Sequence, residues 1–202
     1  MQGVAAAVTP KGERRKYTLV SAAAELLEEG GFDAVRHRAV AQRAGLPLAS
    51  TTYYFASLDD LIHRAVEHIG LLELAQLRAR VAALARRRRG TDTTAEVLVD
   101  LLFGEAAEPG LADNLISRYE RHIACTRVPA LQETMRRGLR QRAGAIADAI
   151  EKSSRLVRIE MVCTLICAVD GAVVSALVEG RLPRAAALAT VTELVDLLAP
   201  LD

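Results

Sequence analysis

The stretch VRHRAVAQRAGLPLASTTYYF, residues 35–55, decides the fold that the sequence predicts. Val40 and Ala44 lie four positions apart and therefore face the same side of a first short helix. Gly45 can adopt positive φ where this helix ends, and Pro47 suits the first turn of a second helix. Two short helices joined by such a turn are typical of a helix-turn-helix.

The second short helix, about residues 47–53, is the predicted reading helix. It offers small and hydroxyl side chains, which can lie against a DNA groove without steric conflict. Four cations, Lys11, Arg14, Arg15 and Lys16, stand close together near the start of the chain. They suit contact with DNA phosphates, and a solvated basic helix end explains them equally well.

The composition predicts an all-α fold and limits the kinds of partner. Of 202 residues, 51% are hydrophobic and 25% are charged, and no run of alternating β-branched residues argues for a sheet. This length makes one or two compact units. A net charge of +1 gives no general affinity for polyanions, so DNA binding must come from a local patch. Three cysteines without C-x-x-C spacing indicate reduced thiols in a cytoplasmic protein.

A longer helix is predicted to link the N-terminal head to the rest of the chain. Ser57 and Asp60 resemble a capping box, and the fourth helix that they start extends over about residues 58–86. We therefore divide the chain into residues 1–56, an N-terminal arm with the helix-turn-helix DNA-binding domain, and residues 57–202, an effector-binding and dimerisation domain.

The last two predicted helices, about residues 155–179 and 183–198, are apolar around more than one face. That is more than a surface helix buries against its own chain. We expect a partner surface, most simply a two-fold dimer through four helices, although a central helix of a monomer gives the same pattern. The stretch 161–169, cut by Asp170, is too short to span a bilayer, which takes about 20 residues. The predicted interface residues are Val162, Leu165, Ile166, Val169, Val173, Leu177, Val191 and Leu194.

Metal and catalytic sites are not favoured by the sequence. Cys163 and Cys167 lie on one helix face and could bind a soft metal or respond to oxidants. No histidine stands nearby to complete a site, so small buried thiols are the favoured interpretation and no metal is expected. The chain also lacks a Walker loop, G-x-S-x-G, H-E-x-x-H and the E-x-x-H of di-iron bundles, so we expect neither an enzyme nor a cofactor.

A set of residues within about the first 65 positions carries a further resemblance. It comprises Leu19-Val20-Ser21-Ala22-Ala23 ahead of Gly31-Phe32, Val40-Ala41, Ala44-Gly45-Leu46, and Tyr53-Tyr54-Phe55 followed by Ser57 and Leu61. On these residues the chain resembles the TetR/AcrR family of one-component transcriptional regulators. The C-terminal half matches the family only in outline.

The resemblance implies about nine helices, with a three-helix DNA-binding head before a helical ligand-binding and dimerisation domain. It implies a cytoplasmic homodimeric repressor that a small apolar or amphipathic effector releases from a pseudo-palindromic operator. The alternative is a helical ligand- or partner-binding module that does not bind DNA. Effector contacts are expected from Asn114, Tyr119, Glu120, His122 and Cys125.

Three departures from the family pattern change the DNA contacts that we expect. Val35 stands where threonine or serine is common, Thr52 where tyrosine is common, and Leu58 where lysine is common. The last two commonly hold the phosphate backbone, so neighbouring hydroxyl and basic side chains are expected to do more of that work. The predicted DNA-binding residues are Lys11, Arg14, Arg15, Arg36, His37, Arg38, Pro47, Leu48, Ala49, Ser50, Thr51, Thr52 and Tyr53.

Overall fold

Nine α-helices make up the part of the chain that the structure describes, residues 10–104 and 108–202 of a computed structural model. They are α1 (Pro10–Ala34), α2 (His37–Arg43), α3 (Ala49–Tyr54), α4 (Leu58–Ala83), α5 (Thr91–Phe103), α6 (Glu108–Cys125), α7 (Pro129–Glu151), α8 (Ile159–Val178) and α9 (Pro183–Leu198). Outside these helices an isolated antiparallel bridge pairs Arg155 with Leu201. The all-α prediction is confirmed. The first nine residues of the predicted N-terminal arm lie outside the described residues.

The described residues form two compact units. The head unit holds residues 10–70 and 117–132. The body unit holds the remaining described residues, 71–104, 108–116 and 133–202. Helices α4, α6 and α7 each contribute one part to each unit. The predicted division after residue 56 separates functions, differs from this grouping by packing, and stays a prediction.

Apolar side chains from α1, α2 and α4 form the core of the head unit. Leu19, Val40 and Leu61 have no exposed surface, and neither does Val35, just ahead of α2. No side chain caps the N-terminus of α2. A lost cap costs about 1 kcal/mol, and a fully buried valine contributes about 1.5–3 kcal/mol. The N-cap position itself holds Arg36, and the departure at Val35 one residue earlier adds apolar burial that favours folding of the head.

Gly45 closes the turn between α2 and α3. Its φ is 63°, which only glycine adopts without strain. The Leu46 N–H donates to the Ala41 carbonyl at 3.0 Å, and the Gly45 N–H donates to the Gln42 carbonyl at 3.2 Å. These two bonds form a Schellman cap, which ends α2 and turns the chain towards α3. The predicted helix-turn-helix is confirmed, although α3 begins at Ala49, two residues later than predicted.

The core of the body unit lies where α9 packs against α5 and α8. Six of the eight residues predicted to form a dimer interface belong to this core and are at most 7% exposed in the single chain. They have no surface left for a partner, so the prediction is wrong for Val162, Leu165, Ile166, Val169, Val173 and Val191. Because α8 is apolar nearly all round, its sequence could not indicate which side the chain itself covers. Leu177 and Leu194 are half-buried.

The other side of α8 is exposed and consists of small and apolar residues. We call it the α8 face and define it as Cys163, Cys167, Gly171, Val174 and Val178. These residues are spaced three or four positions apart and therefore line one side of the helix. The expectation that the thiols of Cys163 and Cys167 are buried is wrong, since both are exposed.

Among the described residues, α8 is also the one helix long and apolar enough, by length and composition alone, to cross a membrane. The expectation that its apolar stretch is too short was wrong because Asp170 does not interrupt the helix. The Asp170 carboxylate lies 3.7 Å from Nη1 of Arg142 on α7. Of the most apolar window of α8, 33% is buried inside the chain.

Arg155, just ahead of α8, is buried and ties several parts of the body unit together. Its Nη1 donates to the Asp196 carboxylate at 2.7 Å and to the Ala199 carbonyl at 2.8 Å. Its Nε donates to Thr94 Oγ1 at 3.2 Å. The Thr91 hydroxyl donates to the second Asp196 oxygen at 2.6 Å. The hydrogen bonds from Thr91 and then from Arg155 lower the pKa of Asp196 below its ordinary value.

Candidate nucleic-acid interface

One side of α3 and the residues just before it form an exposed surface, which we call the reading face and define as Leu48, Ala49, Thr52 and Tyr53. All four are exposed, and Tyr53 is 80% exposed. The Tyr53 ring stands edge-on to Tyr54, with 4.9 Å between the ring centroids. This contact holds the Tyr53 hydroxyl away from the core, where it can reach an anionic group.

Thr51 does not belong to this surface, and its predicted contact with DNA is wrong. It has no exposed surface, and its hydroxyl lies 2.8 Å from the Leu48 carbonyl. The same oxygen lies 3.0 Å from Nδ1 of His37 on α2. Because α3 is one and a half turns long, its central residue faces α2 and the residues on either side face solvent.

The predicted basic residues differ in their exposure and in whether they already have a partner. Arg36 already pairs with Asp33, with 3.2 Å between the guanidinium and the carboxylate. Arg38 is exposed on α2, and His37 is half-buried. The remaining predicted DNA contacts are mostly exposed. These are Lys11, Arg14 and Arg15 on α1, Pro47 ahead of α3, and the half-buried Ser50.

An ion pair that the sequence analysis missed fixes α2 against α1. Arg43, the last residue of α2, lies 2.7 Å from a carboxylate oxygen of Glu29 and 3.2 Å from one of Glu25. The hydrogen bond from Arg43 lowers the pKa of Glu29. These partners stand 14 and 18 positions from Arg43, so no local spacing in the sequence signals them.

The predicted effector-binding residues of α6 differ in burial. Cys125 is buried, and Tyr119 and His122 are half-buried. Asn114 and Glu120 are exposed, so the five do not form one buried site. Arg121 and Cys125 are both buried and lie one turn apart on α6. The burial of Arg121 was not predicted from the sequence. Burial raises the pKa of the Cys125 thiol, and the charge of Arg121 partly opposes this.

A cleft of about 360 Å³ lies in the body unit, where the start of α8 meets the end of α9. None of the predicted effector-binding residues lines it. Its lining residues are Leu156, Val157, Arg158, Met161, Leu197, Leu198 and Pro200. Within the described residues, no group of three or more His, Cys, Asp and Glu side chains is arranged to hold a metal ion.

Two family profiles match the sequence. The profile described as "Bacterial regulatory proteins, tetR family" matches residues 19–65, which include α2 and α3. The profile described as "Tetracyclin repressor-like, C-terminal domain" matches residues 89–197. No curated protein sequence matches the chain significantly.

Several solved structures share the fold. The transcriptional regulator SCO7518 of Streptomyces coelicolor A3(2) has a TM-score of 0.68 and 22% identity over 89% of this chain and 97% of its own. SCO1917, a TetR-family member from the same organism, has a TM-score of 0.62 and 25% identity over 89% and 97%. The multidrug-binding protein EbrR in complex with malachite green has a TM-score of 0.62 and 26% identity over 89% and 97%.

Proposed function

Since this chain belongs to the TetR family of bacterial regulatory proteins, and is therefore a ligand-responsive DNA-binding regulator and not an enzyme, we propose that it acts as a homodimeric repressor. A small apolar or amphipathic effector releases it from a pseudo-palindromic operator in the cytoplasm. The single observation that carries the proposal is the reading face, which a helix-turn-helix presents to solvent with Tyr53 at its edge.

The reading face enters the major groove, and the cations around it bind phosphates. Phosphate contacts position a protein on DNA, and base edges specify the site. The exposed Tyr53 hydroxyl and the Arg38 guanidinium suit phosphate contact, and Lys11, Arg14 and Arg15 on α1 add positive charge. Arg36 is already held by an ion pair with Asp33, so we assign it a lesser role.

Specificity rests on apolar contacts and DNA shape. The reading face has no Arg, Asn or Gln, and these side chains make the bidentate base contacts worth about 1–3 kcal/mol each. Leu48, Ala49 and the Thr52 methyl group can instead contact thymine methyl groups. The remaining discrimination comes from the sequence-dependent cost of deforming the operator.

A second copy covers the α8 face. Val174 and Val178 are exposed there, and a helix with an apolar side in water needs a partner. Exposed apolar side chains on and just before α9, Leu182 and Leu197, extend the surface that a four-helix interface would bury. A two-fold dimer places two heads on successive major grooves, about 34 Å apart. The α8 face therefore replaces the buried residues that the sequence suggested.

The effector binds against α6 beside Tyr119 and His122. Tyr119 and His122 are half-buried there and combine an aromatic surface with polar atoms, as small-molecule sites do. EbrR, at 26% identity, is solved in complex with malachite green, which is an amphipathic aromatic cation. Asn114 and Glu120 are exposed, so we assign them a lesser part in the site.

Helix α6 gives the effector a route to the DNA-binding helices. The Ser117 hydroxyl donates to the Glu28 carbonyl of α1 at 3.1 Å, within the head unit. A ligand that shifts α6 therefore acts on α1, against which α2 is held by Arg43. An allosteric coupling of about 1–3 kcal/mol weakens operator binding roughly 5 to 150-fold.

A mobility-shift assay with the promoter region next to the protein's own coding sequence tests the proposal. We expect a shift with this fragment, none with an unrelated fragment of equal length, and a weaker shift when malachite green is added. Absorbance titration of the dye with protein alone separates binding to protein from binding to DNA. Absence of a specific shift contradicts the proposed repressor.

Two variants place the effector. Tyr119→Ala is expected to abolish the response to malachite green, and Met161→Ala, in the cleft between α8 and α9, is expected to leave it unchanged. The opposite result would assign the effector to that cleft and contradict the α6 site.

A further inference from the structure

His37 and Thr51 form a polar pair in the core between α2 and α3, the two helices of the helix-turn-helix. Thr51 has no exposed surface, and His37 is the half-buried first residue of α2. His37 Nδ1 and Thr51 Oγ1 are 3.0 Å apart, and Thr51 Oγ1 lies 2.8 Å from the Leu48 carbonyl oxygen. The one oxygen of the Thr51 side chain thus makes both of its hydrogen bonds inside the head unit.

The arrangement fixes which ring nitrogen of His37 carries hydrogen. A threonine hydroxyl has one hydrogen to donate. The 2.8 Å contact joins two oxygens, and two oxygens approach this closely only when a hydrogen lies between them. The Thr51 hydroxyl therefore donates to Leu48, and its lone pair accepts from His37 Nδ1–H. In the neutral imidazole Nε2 is then a bare acceptor.

Nε2 of His37 is left for a partner outside the chain. Within the described residues Nε2 has no hydrogen-bond partner. His37 lies between Arg36 and Arg38, both of which we place beside the DNA backbone. A bare Nε2 repels a phosphate oxygen, because both are acceptors. Nε2 can bind a phosphate only after it takes up a proton, which makes the ring an imidazolium.

The charged groups around His37 set the direction of the effect. The helices packed against α2 are α1 and α3. Helix α3 carries only Tyr53 and Tyr54 as titratable groups. On α1, Asp33 pairs with Arg36, and Glu25 and Glu29 pair with Arg43 at the far end of α2.

A DNA phosphate supplies the charge opposite to that of the imidazolium, so DNA and the proton favour each other's binding.

We propose that each head takes up a proton at His37 when it binds its operator, so that His37 is a phosphate-contacting residue whose protonation Thr51 controls. This inference rests on the proposed DNA-binding function. By linkage, proton uptake on binding makes the affinity rise as pH falls. Histidine is the side chain whose charge ordinarily changes nearest to neutral pH, so the dependence is sought between pH 6 and pH 8. With two heads we expect the operator complex to be roughly tenfold or more tighter at pH 6 than at pH 8.

Fluorescence anisotropy with labelled operator DNA, at fixed salt and from pH 6 to 8, measures the effect. His37→Gln keeps a donor for Thr51 but does not titrate, so its binding should stay weak and nearly independent of pH. Thr51→Val removes the acceptor, which frees the neutral ring to carry its hydrogen on Nε2. This variant should lose the pH dependence by binding more tightly at pH 8. His63→Gln, a change at a histidine on α4, should keep the wild-type dependence.

Two further readouts separate this role from a merely structural one. The slope of log affinity against log salt should steepen by about 1 per head between pH 8 and pH 6, as expected for one added phosphate contact. Nitrogen-15 NMR of the free protein at pH 8 should show His37 with hydrogen on Nδ1. Circular dichroism melting checks that the variants fold.

The outcomes distinguish the inference from the function on which it rests. A wild-type pH dependence that persists in His37→Gln, or an Nε2–H ring in the free protein, overturns the inference and leaves the repressor intact. Absence of operator binding at every pH overturns both. The inference is supported if both variants lose the pH dependence, His37→Gln because it binds weakly at every pH and Thr51→Val because it binds more tightly at pH 8.

Discussion

The reading face on α3 and the α8 face differ in the chemistry of the side chains that they leave exposed. Helix α3 buries a hydroxyl, Thr51, and exposes a phenol on Tyr53. Helix α8 buries aliphatic side chains and exposes more of them, with Val178 at 83% exposure. A polar exposed side suits a hydrated, charged partner such as DNA, and an apolar exposed side suits another protein surface. Within one chain, the chemistry of what stays exposed thus indicates the partner.

The contrast between the two faces would fail most clearly if the α8 face tolerated a charged side chain. Val174→Glu would place an unpaired carboxylate of each copy in the interface, where an uncompensated buried charge costs about 3–5 kcal/mol. We expect the dissociation constant of the dimer to rise roughly a hundredfold or more. Sedimentation equilibrium measures this. Leu139→Glu, at a similarly exposed leucine of α7, is the matched control and should remain dimeric.

Both faces depend on buried polar side chains behind them, and Arg155 supports the body unit. Arg155→Met should leave the Thr94 hydroxyl and the Ala199 carbonyl without their donor. Unsatisfied buried groups cost about 1–3 kcal/mol each, and repacking recovers part of this. We expect a net loss of about 2 kcal/mol, which lowers the melting temperature by about 4–8 °C at equal protein concentration. The exposed Arg158→Met is the control, and an equal loss there would contradict the assigned role.

Removal of one oxygen atom from the reading face tests its contact with a DNA phosphate. Tyr53→Phe keeps the edge-on contact with Tyr54 and loses the hydroxyl that we assign to a phosphate. A hydrogen bond to a charged group is worth about 1.5–3 kcal/mol, so operator affinity should fall roughly tenfold per head. The fall should be equal for operator variants, because phosphates carry no sequence information. Tyr17→Phe on α1 serves as control, and wild-type affinity of the Tyr53 variant in an anisotropy titration would reject the contact.

The smallest expected effect is on folding stability in acid, where an ion pair of the head unit is compared with one of the body unit. Glu29 in the head and Asp196 in the body both have lowered pKa values in the folded chain. A carboxylate with a lowered pKa stabilises the fold above its ordinary pKa and loses that contribution as pH falls through the folded value. Stability should therefore decrease below about pH 4.5. Urea unfolding at pH 7 and pH 3.5 should show less acid loss in Glu29→Gln and Asp196→Asn than in wild type.

Local signals made the head predictable. Gly45 at a helix end and a serine cap ahead of α4 are recognisable by spacing alone, and the structure has both. The Ser57 hydroxyl accepts from the Asp60 N–H at 3.1 Å. Thr51 was not predictable in this way, because a hydroxyl residue among other hydroxyl residues gives no sign of facing inwards. Its burial follows from the start of α3 at Ala49 and from its hydrogen bonds to Leu48 and His37.

Long-range packing set the limit for the rest. An all-apolar helix such as α8 shows no preferred side in its sequence, so the covered and exposed faces were assigned the wrong way round. Burial of Arg155 and the pairing of Arg43 with Glu29 depend on residues distant in the chain. Local order was enough to place the exposed residues of α3, whereas the burial of Thr51, the sides of α8 and the burial of residues on α6 required the fold.

The most direct test of the account is the stoichiometry of the operator complex, measured by sedimentation velocity with labelled promoter DNA. The account predicts two chains per operator, bound together, and loss of this complex in Val174→Glu at concentrations where wild type saturates the site. A single chain bound as tightly as the pair, or a Val174→Glu variant that binds like wild type, would contradict a regulator that reads DNA through two joined heads.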